Sequence, residues 1–121
     1  MVLVDTSVWV FHLRKGNPKL ERLLNDGNVV SHLFIIGELA CGNLKNRTEI
    51  LTLLQALPMA TQAEHEEVIR FIENYQLMGK GLGYIDMHLL ASALLSEVPI
   101  WTLDKKLEEV STELGVSFKK K

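Results

Sequence analysis

Met1-Val2-Leu3-Val4-Asp5-Thr6-Ser7-Val8-Trp9-Val10 is the stretch on which the reading of this chain turns. Val2-Leu3-Val4 is a continuous apolar run, the pattern of a short strand covered on both faces, as in a parallel sheet. Asp5 ends that run and is the only formally charged residue from Met1 to Leu13. An ionised carboxylate at the edge of a core costs several kcal/mol unless a partner compensates it. The run therefore predicts both a buried strand and a partner for Asp5.

Working outward, Pro99-Ile100-Trp101-Thr102 repeats the pattern of a continuous strand. Val29-Val30, Pro58-Met59-Ala60 and Val116-Ser117-Phe118 are shorter candidates. Helical spacing fills the intervals. Asn17-Pro18 starts a segment with Leu20, Leu23 and Leu24 on one face, stopped by Asp26-Gly27-Asn28. Ser31 is placed to cap an apolar helix from Leu33 to Ala40, which ends at Cys41-Gly42-Asn43. Another helix is expected from Asn46 to Leu57. Thr61, with Glu64 three residues on, has capping-box spacing before a stripe of Val68, Ile69, Phe71, Ile72 and Tyr75. Gly79, Gly81 and Gly83 mark a hinge-like loop ahead of a helix from about Tyr84 to Leu95, and Asp104 to Leu114 closes the set. Strands alternating with helices predict an α/β sandwich around a mainly parallel sheet.

At 121 residues the chain suits one domain, 1–121, with enough length for a real core. Hydrophobic residues make up 47% and charged residues 23%, which argues against disorder and fibrous repeats. No apolar run approaches the roughly 18 to 20 residues that cross a bilayer, and no basic n-region opens the chain, so no membrane association and a cytoplasmic location are expected. The single cysteine, Cys41, has no internal disulfide partner and is expected to pack as a small apolar side chain. A net charge of −2 does not by itself advertise a polyanion partner, so any nucleic-acid chemistry must come from local features.

Charge placement supplies such a feature. Glu38 is the only formal charge from Gly27 to Leu44, Asp86 the only one from Gly81 to Ser96, and Asp104 ends the uncharged run Val98 to Leu103. With Asp5, these make four isolated charges, all acidic. Asp5 and Asp104 fall at the carboxyl ends of predicted parallel strands, where ligand sites of open α/β sheets lie. Asp86 falls in the first turn of its helix, where free backbone amides favour an anion. Glu38 lies among Ile35, Ile36, Leu39 and Ala40, a setting in which a fully solvated side chain is not expected.

If the four converge, each pair at about 5 Å repels by roughly 3 kcal/mol at an effective dielectric near 20. A divalent cation would offset this, and oxygen-only ligands suit Mg²⁺ or Mn²⁺ better than zinc. Ser7 and Thr102, each two residues from an acid, are placed to orient ligands or hold metal-bound water. Each acid also has a structural alternative. Asp5 or Asp104 can cap the helix that follows, Asp86 can serve the helix dipole, and Glu38 can satisfy a local partner. Of the two hydroxyls after Asp5, the spacing favours Thr6 as the cap and Ser7 as the one facing the metal.

Taken in order, Asp5-Thr6-Ser7, the isolated acid in Ile36-Gly37-Glu38-Leu39, Tyr84-Ile85-Asp86 and Thr102-Leu103-Asp104 resemble the motifs of the PIN-domain ribonucleases. Within them the chain resembles the VapC type, the toxin half of prokaryotic toxin–antitoxin pairs. The resemblance implies a PIN-like three-layer α/β/α sandwich with a sheet of about five strands. It also implies a Mg²⁺- or Mn²⁺-dependent endoribonuclease, usually a homodimer, inhibited by a small cognate antitoxin. Asp5, Glu38, Asp86 and Asp104 would be the catalytic, metal-binding quartet, assisted by Ser7 and Thr102.

Hydrolysis of a phosphodiester needs a nucleophilic water, charge stabilisation and help for the leaving oxygen, and bound metal can supply all three. Arg14 and Lys15 are candidate contacts to RNA phosphates, against the alternative of a solvated loop. Lys119-Lys120-Lys121 is a basic tail that can add nonspecific affinity for polyanions, or simply be solvated. Trp9 and Phe11 can stack on a base, against the alternatives of packing or a dimer contact. His12, His32, His65 and His88 have no mutual metal-ligand spacing and are expected at the surface or in helix packing. The loop glycines lack the strand before and the Lys-Ser/Thr pair after that a phosphate loop requires.

Two other readings compete. A receiver-like phosphoacceptor domain has this length and class, but Val4-Asp5-Thr6 lacks its adjacent acid pair. A non-catalytic partner-binding domain of the same fold has no reason to retain four mutually repelling acids.

Overall fold

The computed structural model describes residues 1–119, so Lys120 and Lys121 of the basic tail lie outside the described residues. The elements run β1 (Val2–Val4), α1 (Thr6–Lys15), α2 (Pro18–Asn25), β2 (Val29–Val30), α3 (Leu33–Ala40), α4 (Arg47–Ala56), α5 (His65–Asn74), α6 (Tyr84–Ser96), β3 (Ile100–Trp101) and α7 (Lys105–Glu113). All strand residues are buried, as expected of a sheet with both faces covered.

The sheet order is β2-β1-β3, and both pairings are parallel. Val2 pairs with Val29 and Leu3 with Val30 on one side, and Leu3 with Ile100 and Val4 with Trp101 on the other. Among the described residues the expected five strands are thus three. The two remaining candidates contribute one parallel bridge each at the sheet edges, Ser31 to Met59 and Ile100 to Ser117. At the first edge the Ser31 amide donates to the Pro58 carbonyl and the Ala60 amide to the Ser31 carbonyl, both at 2.8 Å. Pro58 has no amide hydrogen to extend the ladder backwards, which limits that edge to a single bridge.

Two helix starts differ from expectation. His32, rather than Ser31, caps α3, its Nδ1 accepting from the Phe34 amide at 3.0 Å. The α5 helix begins three residues after Thr61's proposed first turn. Glu64 is its cap residue, and the Glu64 amide donates to Glu67 Oε1 at 2.9 Å. The Thr61 amide donates instead to Ser96 Oγ. With the helix shifted, Val68 and Phe71 are buried, whereas Ile69 and Tyr75 are exposed. Cys41, expected to pack, is exposed at the end of α3.

The core gathers Leu3, Val8, Leu20, Ile35, Leu54, Val68, Leu89, Ile100 and Leu107, drawn from strands and helices alike. Truncating a buried leucine of this kind to alanine costs about 2–5 kcal/mol. The glycine-rich loop is less free than a hinge. Gly81 has φ +81°, and a Cβ there would sit 2.8 Å from Lys106 Nζ, so the Lys106 side chain lies against bare backbone. Lys80 pairs with Glu113 at 3.3 Å, a second tie between the loop and α7.

Candidate metal centre at the strand ends

Sheet topology brings the ends of β1 and β3 side by side, and with them Asp5, Thr102 and Asp104. Asp5 occupies the cap position of α1, yet its side chain makes no cap bond. Its Oδ2 accepts from Ser7 Oγ at 2.8 Å and from Thr102 Oγ1 at 2.7 Å. Both hydroxyls are fixed in turn by backbone donors, the Leu103 amide to Ser7 Oγ at 2.9 Å and the Asp104 amide to Thr102 Oγ1 at 3.0 Å. The hydroxyl protons are thereby committed to Asp5, and the 3.2 Å approach of Ser7 Oγ to Thr102 Oγ1 is a contact without a proton of its own. Asp5 is 6% exposed. Burial of a carboxylate so placed is compensated by two donors on one oxygen, which leaves Oδ1 as the oxygen turned to other partners.

The remaining acids are held more lightly. Asp104 is exposed, and its Oδ1 accepts from the Leu107 amide at 2.9 Å, so the helix-cap reading of this residue is realised with one oxygen. Glu38 is also exposed, which corrects the expectation of a poorly solvated side chain: Ile35, Ile36 and Leu39 turn inward, while Gly37 and Glu38 turn outward. Its Oε1 accepts from Thr6 Oγ1 at 2.7 Å. Asp86 is half-buried, and its Oδ2 accepts from the Gly83 amide at 3.2 Å.

Thr6 and Ser7 thus both serve acids, and neither side chain caps α1. The role of Thr6 was missed because it depends on how α3 packs across α1, which no local pattern encodes. Of the two cations, Arg14 lines a groove of about 530 Å³ together with Glu38, Lys45 and Asn46. Lys15 is exposed at the end of α1 and does not line it.

The charges of the other three acids are all felt at Asp86. Burial raises the Asp86 carboxyl above the ordinary aspartate range, the Gly83 amide opposes that rise, and the charges of Asp5, Asp104 and Glu38 each add to it. None of the four is neutralised by an ion pair among the described residues. Among those residues no three His, Cys, Asp or Glu side chains are already gathered at ligand spacing. Each acid is held by hydrogen bonds of its own. The donor set, oxygen-only and net negative, fits a hard divalent cation.

The histidines take packing roles or sit at the surface. His12 Nδ1 accepts from the Asn17 amide at 3.0 Å. His32 and His88 are buried, and His65 is exposed. Trp9 is buried at 5% exposure, whereas Phe11 is exposed.

The PIN-domain family model matches residues 2–113. Ribonuclease VapC32 of Mycobacterium tuberculosis is 42% identical over 119 residues, covering 98% of this chain and 96% of that protein. Ribonuclease VapC1 of Methanocaldococcus jannaschii is 26% identical over 120 residues, covering 97% of this chain and 85% of that protein. In three dimensions the crystal structure of PAE2754 from Pyrobaculum aerophilum is similar in fold, with TM-score 0.60, 15% identity and coverage of 94% of this chain and 88% of that one. With a family match over nearly the whole chain, this protein belongs to the PIN-domain family and, within it, to the VapC type.

Proposed function

We propose that this chain, acting as one domain over residues 1–121, is a Mg²⁺- or Mn²⁺-dependent endoribonuclease and the toxin of a toxin–antitoxin pair. The observation that carries the reading is the convergence on Asp86 of the charges of Asp5, Asp104 and Glu38, four acids from four separate parts of the chain. Names in the family support it: the relative 42% identical to this chain is a ribonuclease. Among the described residues no helix is long and apolar enough to cross a membrane.

Asp5, Glu38, Asp86 and Asp104 would hold the metal. A bound Mg²⁺ or Mn²⁺ would lower the pKa of a water and offset the charge that builds on the phosphate. The chain's own part is positioning and proton handling. Ser7 and Thr102 fix Asp5 through Oδ2, and the Asp104 amide fixes Thr102, so one hydrogen-bonded path links two of the acids. A carboxylate of the set accepts the proton of the attacking water. Arg14, in the groove shared with Glu38, is placed to meet RNA phosphates, with Lys15 further along α1 as a weaker contributor. A small antitoxin and a second copy of the chain complete the proposed assembly.

The test is digestion of total RNA with Mg²⁺ or Mn²⁺, wild type against Asp5→Asn, with cleavage sites mapped. Cleavage that needs the cation and is lost in the variant is expected. Equal turnover by the folded variant removes Asp5 from the reaction. An absence of cleavage by wild type freed of partner supports the non-catalytic domain instead. Membership of the PIN-domain family leaves the receiver-like reading without support.

A further inference from the structure

A row of rings runs beside the acids. Phe34 lies one helical turn before Glu38 on α3, and its ring meets the His88 ring edge-on, centroids 4.7 Å apart at 75°. Tyr84 lies in the same first turn of α6 as Asp86, two residues before it and about 200° round the helix axis, and it shares a face with His88, whose ring it meets edge-on at 4.6 Å and 87°. His65 closes the row, its Nδ1 2.5 Å from the Tyr84 hydroxyl and its ring 5.5 Å from the Tyr84 ring. His88 is 4% exposed, whereas Tyr84 is 43% exposed. An exposed ring is thus fixed at its body by the buried His88 and at its hydroxyl by the exposed His65.

The other tyrosine gives the contrast. Tyr75, 52% exposed, packs on Phe71 and lines a groove with Leu94 and Leu95, near the far end of α6 from Asp86. Of the two tyrosines, Tyr84 combines exposure and fixed geometry with a place in the helix turn that carries Asp86. Those three properties suit a nucleobase, whose flat face stacks on an aromatic ring while its own phosphate hangs within a few ångströms. A ring already held in place loses little freedom when a base settles on it.

We propose that the Tyr84 ring is a stacking platform for one nucleobase of single-stranded RNA next to the phosphate that is cut. His65 acts as a positioning residue through the Tyr84 hydroxyl. The inference rests on the nuclease reading above and deepens it, by assigning the substrate a second point of attachment besides its phosphate.

The experiment uses a short single-stranded oligoribonucleotide spanning a mapped cleavage site, and copies made abasic at each single position around that site. Tyr84→Ala is expected to raise KM by about 5- to 100-fold, the range of one lost base stack. Tyr84→Leu keeps apolar packing on His88 without a stacking face and is expected to lose as much. Tyr84→Trp retains the stack and stays within a few-fold of wild type, whereas Tyr84→Phe and His65→Phe, which break the same bond between hydroxyl and imidazole, fall together between Tyr84→Trp and Tyr84→Ala. At one position the abasic copy should cost wild type as much as Tyr84→Ala costs the intact RNA, and cost Tyr84→Ala nothing further. Tyr75→Ala should match wild type.

Abasic penalties that are the same in wild type and Tyr84→Leu overturn the proposal while the nuclease reading stands. So does normal RNA cleavage by Tyr84→Leu with a weakened hold on a protein partner, which would assign the ring to a protein interface. No cleavage or binding of any RNA by wild type removes the nuclease reading and the stacking platform together.

Discussion

The strand-edge half of the acidic site and its helix half are built differently. At the strand edge, Asp5 is buried and takes two hydroxyl donors, each locked by a backbone amide of the segment after β3. On the helix side, Glu38 stands in solvent with one hydroxyl donor from Thr6, and Asp86 is half-buried with one amide donor at 3.2 Å. A carboxylate fixed by a closed network cannot move when a ligand arrives. One held by a single surface bond can. The comparison points to a rigid anchor at Asp5 and adjustable arms at Glu38 and Asp86 in the proposed site.

The largest effect is expected where the anchor itself is removed. Asp5→Asn should lower metal-dependent RNA cleavage on the order of a thousandfold, whereas Glu38→Gln should cost about 10- to 100-fold. Single-turnover rates on one mapped RNA check this, and equal losses would erase the distinction between anchor and arm.

The helix half has its own root. His32 caps α3 through Nδ1, and its Nε2 lies 3.0 Å from Ser92 Oγ on α6, so one ring ties the helices that carry Glu38 and Asp86. Burial first, and the charge of His88 second, depress its pKa from 6.5 to about 4. The folded state therefore favours the neutral ring. Its contribution is whole above pH 6.5 and is lost as pH falls toward about 4, where the folded protein binds the proton as well. Up to about 3 kcal/mol of stability should disappear across that window. Urea unfolding at pH 7 and pH 4.5 measures it. His32→Asn keeps an acceptor for the Phe34 amide and should flatten the acid limb, and an unchanged limb would place the loss in other groups.

Removing a support rather than an acid should separate the halves again, with smaller effects. Thr102→Val takes one of two donors from Asp5 and unseats the Asp104 amide, for an expected loss of about 10- to 100-fold in cleavage or metal affinity. Thr6→Val takes the single donor from a solvated Glu38 and should stay under about 10-fold. Metal titrations of the two variants give the comparison directly.

The smallest effect concerns Gly37, which sits mid-helix on the outward side of α3 beside Glu38. A Cβ there would meet nothing within 4 Å. Packing does not require a glycine, so Gly37→Ala should stabilise the fold by about 0.5–1 kcal/mol. A thermal melt tests this. Lost stability would mean that the helix half is strained in a way its geometry does not reveal.

Much of this was legible in the residues themselves. The continuous runs Val2-Leu3-Val4 and Ile100-Trp101 become the central strand and its neighbour, because a strand buried on both faces leaves an unbroken apolar signature. Four isolated acids in uncharged segments were visible for a similar reason: a charge without local partners is conspicuous. What misled was local chemistry with two competing solutions. Ser31 and Thr61 both look like helix caps, yet His32 and Glu64 take those places once the sheet and α5 settle. Glu38 looked buried because its sequence neighbours are apolar, but a helix turns about 100° per residue and sets it opposite Ile36 and at the edge of the face that Ile35 and Leu39 bury.

By itself, then, the sequence determined the α/β class and the parallel pairing of its central strands and singled out the four acids as candidates, since these follow from apolar continuity and from charge that has no neighbour. Only the tertiary structure decided how the acids are held. The pairing of β1 with β3 puts Ser7 and Thr102 on the same carboxylate oxygen, although 95 residues separate the two hydroxyls along the chain. The packing of α3 on α1 gives Thr6 to Glu38, and the meeting of α3, α5 and α6 builds the ring row that ends at Tyr84. Contacts between distant segments depend on register and helix rotation, which are settled by the whole core at once and by no stretch of the chain alone.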